Sequence, residues 1–124
     1  SYLASRWRRK ETAEVRTPEY VRDNIHVSLL AEAYHQFADQ EAENDRLISF
    51  KPSGYIGTQA SFAKRLAVQF GSRLGWECSL SFANQTDFSE PMCMVNTDKV
   101  CEPVLNWDEE KAWDEFVAYY SIND

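Results

Sequence analysis

The residues best equipped for chemistry sit in one short stretch, EYVRDNIHV, at positions 19–27. Arg22 brings a planar guanidinium that can hold a phosphate or carboxylate through two parallel hydrogen bonds. Asp23 stands beside it, and His26 follows within the same strand-like run. With Tyr55, these three make up the enzymatic reading that the chain offers, an acid–base cluster around one imidazole. The plainer alternative is a strand that carries polar residues. His26 alternates with Ile25 and Val27 and so faces away from them, as a histidine packed or hydrogen-bonded near a strand end does.

Other candidates are weaker. Nucleophilic triads need a histidine base, and the chain has only two histidines. The second, His35, falls on the polar side of a helix, three residues after Glu32, and reads as a surface residue. Cys78, Cys93 and Cys101 are odd in number and include no CxxC pair. Neither a disulfide framework nor a thiolate zinc site is expected, and all three read as reduced, small, buried hydrophobes. GYIG at 54–57 lacks the GxGxxG spacing of a dinucleotide turn. It reads as a turn at a strand-to-helix junction, where ligand crevices form in α/β folds. The adjacent carboxylates Asp108 and Glu109 read as helix-start chemistry, with Asn106 as the cap and Glu109 reaching back.

The elements that must position these groups follow from composition and periodicity. With 124 residues, 44% hydrophobic and 14% aromatic, the chain is sized for a single domain, 1–124, with a real core. Its net charge of −7 opposes nucleic-acid binding, which depends on neutralising phosphates. Arg6, Arg8, Arg9 and Lys10 cluster near the start and read as a solvated helix face. No apolar run is long enough to cross a membrane. SYLASRWRRK has no apolar segment behind its basic residues, so a signal peptide is not expected, and a cytoplasmic location fits.

Residues 2–10 suit a short helix, and 12–16 and 24–27 short strands. Ser28 can cap a helix over 28–43, where Leu30, Ala33, Tyr34, Phe37 and Ala38 form one apolar stripe. A buried strand at 47–50 and a loop at 51–57 follow. Thr58 can cap a second long helix over 58–73, with Phe62, Leu66 and Phe70 on one face and Ala63 and Ala67 beside them. Gly71 and Gly75 mark its fraying end. Residues 78–82 alternate as a strand with Cys78, Leu80 and Phe82 inward. A polar loop at 84–91, a short strand at 92–95 and a last helix over 107–120 complete the order. The spacing predicts an α/β or α+β fold, a small mixed sheet with three main helices and a short N-terminal one.

VRDNIHVSLLAEAY resembles a stretch of the extended short-chain dehydrogenase/reductase family, the NAD-dependent epimerases and dehydratases of nucleotide sugars. Arg22, Asp23, Ile25, His26, Val27, Leu30, Ala31 and Ala33 carry the likeness. VNTDKV at 95–100 and LNWDEEKAW at 105–113 resemble later family segments in the same order. The chain has neither a glycine-rich cofactor turn nor a Tyr-x-x-x-Lys pair, so it resembles only the C-terminal, substrate-binding part. The resemblance implies a detached substrate-binding domain with no cofactor of its own and no catalysis as an isolated chain. It further implies a nucleotide-sugar ligand held by Arg22, Tyr55 and Asn96, and a homodimer or a Rossmann-domain partner. The alternative is a free-standing α+β interaction or small-ligand-binding module, dimeric in the same way.

Overall fold

The structure is a computed structural model that describes residues 2–40, 52–95, 98–99 and 107–122. Its helices are α1 (Tyr2–Arg8), α2 (Val27–Gln40), α3 (Gln59–Leu74) and α4 (Glu109–Ile122). Its strands are β1 (Ala13–Val15), β2 (Val21–Asn24), β3 (Pro52–Ser53), β4 (Tyr55–Thr58), β5 (Leu80–Phe82), β6 (Cys93–Met94) and β7 (Asp98–Lys99). The fold is of the α/β or α+β kind, with four helices and short strands among the described residues. The strands fall into three small sheets: β1 with β5, β4–β2–β6, and β3 with β7. The central one is mixed, since β2 runs antiparallel to β4 and parallel to β6.

The core is built where the apolar stripes of three helices meet. Ala4 and Trp7 of α1, Leu66 and Phe70 of α3, and Trp113 and Val117 of α4 close around Ala13 of β1. Trp7 and Phe70 pack with ring centroids 5.7 Å apart. The Trp7 indole N–H, which would be costly to bury alone, donates to the Ser79 carbonyl at 2.9 Å. Thr58 caps α3 by accepting from the Ser61 amide. At the other end Gly75 takes a left-handed conformation, φ 71°, and its amide closes on the Gly71 carbonyl. Glycine adopts that geometry without a Cβ penalty, so this end is a formed cap and not a frayed one.

Several expectations are corrected. The strand lies at Val21–Asn24 and not at 24–27. Val27 already opens α2, because the ladder partner of β2 ends at Tyr55 opposite Asn24. Residues 52–58 are strand for most of their length and not a loop. The sequence hides this because Gly54 and Gly57 look like turn residues. Gly54 is there for close approach: a Cβ would lie 2.4 Å from the Asn24 carbonyl oxygen. The Ser28 hydroxyl does not cap α2; it accepts from the Trp107 indole at 2.9 Å. Asp108 caps α4, accepting from the Lys111 amide at 3.2 Å. Phe82 is 41% exposed, with the Lys64 ammonium 5.3 Å from its ring centroid. Cys93 is exposed and Cys78 half-buried. The proposed strand at 47–50, Asn106 and Cys101 lie outside the described residues.

Candidate functional site

β2 hands the chain to α2 through Ile25 and His26, which turns His26 inward toward the first turns of α4. His26 is only 8% exposed. Its ring packs edge-on to Trp113 at 4.3 Å between centroids and to Tyr55 at 5.5 Å. Trp107 and Phe116 stand at 5.7 and 6.0 Å. The imidazole Nε2 lies 3.2 Å from the Tyr55 hydroxyl oxygen. That hydroxyl donates to Glu109 Oε2 at 2.8 Å.

This chain fixes the proton positions. The Tyr55 hydrogen is committed to the carboxylate, so its oxygen must accept from His26. Nε2 then carries the proton of the neutral ring, and Nδ1 offers a lone pair. Burial pulls the pKa of His26 below its ordinary 6.5, opposed by the Glu109 charge and reinforced by Arg65. Burial, and then Glu109, hold the Tyr55 phenol protonated far above its ordinary range. The Arg65 guanidinium sits 4.3 Å over the Tyr55 ring.

A cavity of about 640 Å³ opens against this cluster, between the start of α2, β4 and α4. His26 and Tyr55 are among its polar lining residues, and Trp113, Phe116, Tyr119 and Tyr120 are among its walls. That size and lining, mostly apolar with a few placed polar groups, are those of a small-molecule site. A second cavity of about 540 Å³ adjoins it and shares Ser28, Ala112 and Glu115. Among the described residues, no group of three histidine, cysteine or carboxylate side chains is placed to hold a metal ion.

The residues singled out from sequence are separated. Tyr55 is in the cavity, and Arg22 is not among its lining residues. The Arg22 guanidinium stacks 4.3 Å over Tyr20. Its Nη1 donates to the Val21 and Pro91 carbonyls, at 2.8 and 3.0 Å. Its Nη2 is buried with no hydrogen-bond partner among the described residues. Asp23 Oδ1 accepts from the Gly54 amide and so braces the turn into β4. Asn96 lies outside the described residues.

Glu109 and Trp113 were legible only as helix start and core stripe. Neither has a local signal for its second role, because Tyr55 reaches Glu109 from 54 positions away. Neither a family model nor a curated protein nor a solved structure matches the chain. Among the described residues, no helix is long and apolar enough to cross a membrane.

Proposed function

We propose that the protein is a binding module for a small ligand held in the aromatic cavity beside His26, Tyr55 and Glu109. The observation that carries this reading is the cavity itself: about 640 Å³, lined by a buried histidine whose Nε2 is engaged by Tyr55, which leaves Nδ1 as the ring nitrogen to meet a ligand. A ligand that donates a hydrogen bond there would complete the polar chain, and the surrounding rings would desolvate its body.

The test is a screen of chemically distinct small molecules by thermal shift, since a ligand bound to the native state raises the melting temperature. Hits are then mapped by amide chemical shifts. Ala31 lines the cavity and is exposed, so Ala31→Trp fills the mouth without burdening the core. Binding that maps to α2 and α4 and is lost in Ala31→Trp supports the reading. Binding that survives the substitution, or no hit from any class, overturns it.

One observation favours a second, narrower reading, the nucleotide-sugar-binding domain that works beside a Rossmann-domain partner. Arg22 Nη2 is buried and unsatisfied, and a phosphate oxygen would satisfy it. Nucleotide sugars therefore belong in the same screen. A shift that Arg22→Ala abolishes and Ala31→Trp leaves intact supports this reading over the first.

A further inference from the structure

The aromatic cavity does not end at its own walls. Along the start of α4 it shares part of its wall with the second cavity, which is also lined by Glu32, Trp107, Asp108 and Lys111. Glu115 and Ser28 line both. The aromatic cavity is therefore flanked by three carboxylates, Glu32, Asp108 and Glu115, and one lysine. Further in, Glu109 is committed to Tyr55, and Arg65 stands behind the Tyr55 ring, outside the lining. The chain as a whole carries a net charge of −7, so the far field has the same sign as these carboxylates.

Resting on the binding reading above, we propose that the ligand of this cavity is a small organic ammonium ion with an apolar body. Aromatic faces attract a cation through their negative quadrupole, and more strongly where water is excluded. Carboxylates lining and flanking the cavity raise its local concentration and complete the charge match. Tyr55 already shows the attraction, since it holds the Arg65 guanidinium over its ring at 4.3 Å. The His26 ring adds no competing positive charge while it stays neutral, and its Nδ1 can accept from an N–H or O–H of the ligand. A phosphate on the ligand would be repelled by Glu32, Asp108 and Glu115, which favours a free ammonium compound over a phosphodiester head group.

The probe pair is choline and its neutral carbon isostere, in which carbon replaces the quaternary nitrogen. Both are titrated into the intact chain and followed by tryptophan fluorescence and amide shifts. Choline is expected to bind about tenfold more tightly than the isostere, the worth of one desolvated cation–π contact. Phosphocholine is expected to bind more weakly than choline. Glu32→Gln with Glu115→Gln, at a half-exposed and an exposed site, should weaken choline several-fold and leave the isostere unchanged. Equal or tighter binding of the isostere or of phosphocholine at this site overturns the charge assignment, while the binding reading survives. Absence of any ligand that Ala31→Trp displaces sinks both together.

Discussion

Two aromatic clusters share the molecule, and they solve different problems. Around Trp7 and Phe70 the rings are fully enclosed, and the one polar atom is satisfied by a backbone carbonyl. Around Tyr55 and Phe116 the rings are only half-buried, the polar atoms are side chains bonded to side chains, and a cavity remains. Trp113 belongs to both, core on one side and cavity wall on the other. The contrast separates aromatic residues that hold the fold from aromatic residues that shape a site. Composition alone treats them alike.

The sharpest way to break the contrast is to truncate one ring from each cluster. Trp7→Ala leaves a large hole in close-packed surroundings, although the Ser79 carbonyl keeps the Ala13 amide at 3.0 Å, so it should cost about 3–5 kcal/mol in chemical denaturation. Phe116→Ala removes a half-buried ring beside existing empty space, and about 1–2 kcal/mol is expected. Equal losses would mean that the second cluster is core and the cavity incidental.

Tyr55→Phe comes next. It deletes the hydroxyl that joins His26 to Glu109 and changes almost no volume. Glu109 loses its donor while half-buried, and about 1–3 kcal/mol of stability should go with it. The ring stack on Trp113, 5.8 Å between centroids, should persist. Nitrogen-15 shifts of the His26 ring give an independent reading, because Nε2 loses the acceptor that fixes its proton. A ring whose tautomer does not respond would show that the Tyr55 contact is not what sets it.

These two clusters also differ in how far sequence reveals them. The stripes Leu66–Phe70 and Trp113–Val117 are visible at helical spacing, and both are buried. The positions of the helix ends at Thr58 and Gly75 are equally readable, because capping is local chemistry, although the second end is a formed cap and not a fraying one. The site is not. Glu109 was read as a helix-start carboxylate, which is what its neighbours in sequence say. Its bond to Tyr55 exists only after β4 has paired with β2 and α4 has packed behind it. Arg22 shows the reverse failure. Beside Asp23 and His26 it looked like part of a cluster, but alternation along β2 and the turn into α2 send the three side chains to different neighbours.

Acid should distinguish the clusters next, since His26 belongs to the second. Burial depresses the pKa of His26 in the folded chain below its ordinary 6.5. Below 6.5 the unfolded chain therefore takes up a proton that the folded chain resists. Stability is retained above that value and falls as pH drops below it, until the folded pKa is reached. Melting temperatures between pH 7.5 and 5 should show this decline (about that range brackets the ordinary histidine value). It should flatten in His26→Gln. A slope indifferent to His26 would mean that the ring is protonated or solvated in the native state.

The smallest effect is expected outside both clusters, at the join between α3 and α4. Arg73 donates to Glu110 at 2.7 Å and to Asp114 at 2.8 Å, from a side chain that is itself mostly buried against exposed partners. Glu109 and Glu110 are sequence neighbours, yet one turns in to Tyr55 and the other out to Arg73. Exposed carboxylates contribute little, so Arg73→Ala should cost about 0.5–1 kcal/mol, and less in high salt. Ligand affinity in the cavity should not move. Glu109→Gln should do the opposite, with a measurable change in affinity because it alters the proton chain through Tyr55 to His26. If Arg73→Ala weakens binding as much as Glu109→Gln does, the cavity depends on how α4 docks and not on the inward carboxylate. The division of that helix into a structural face and a site face would then fail.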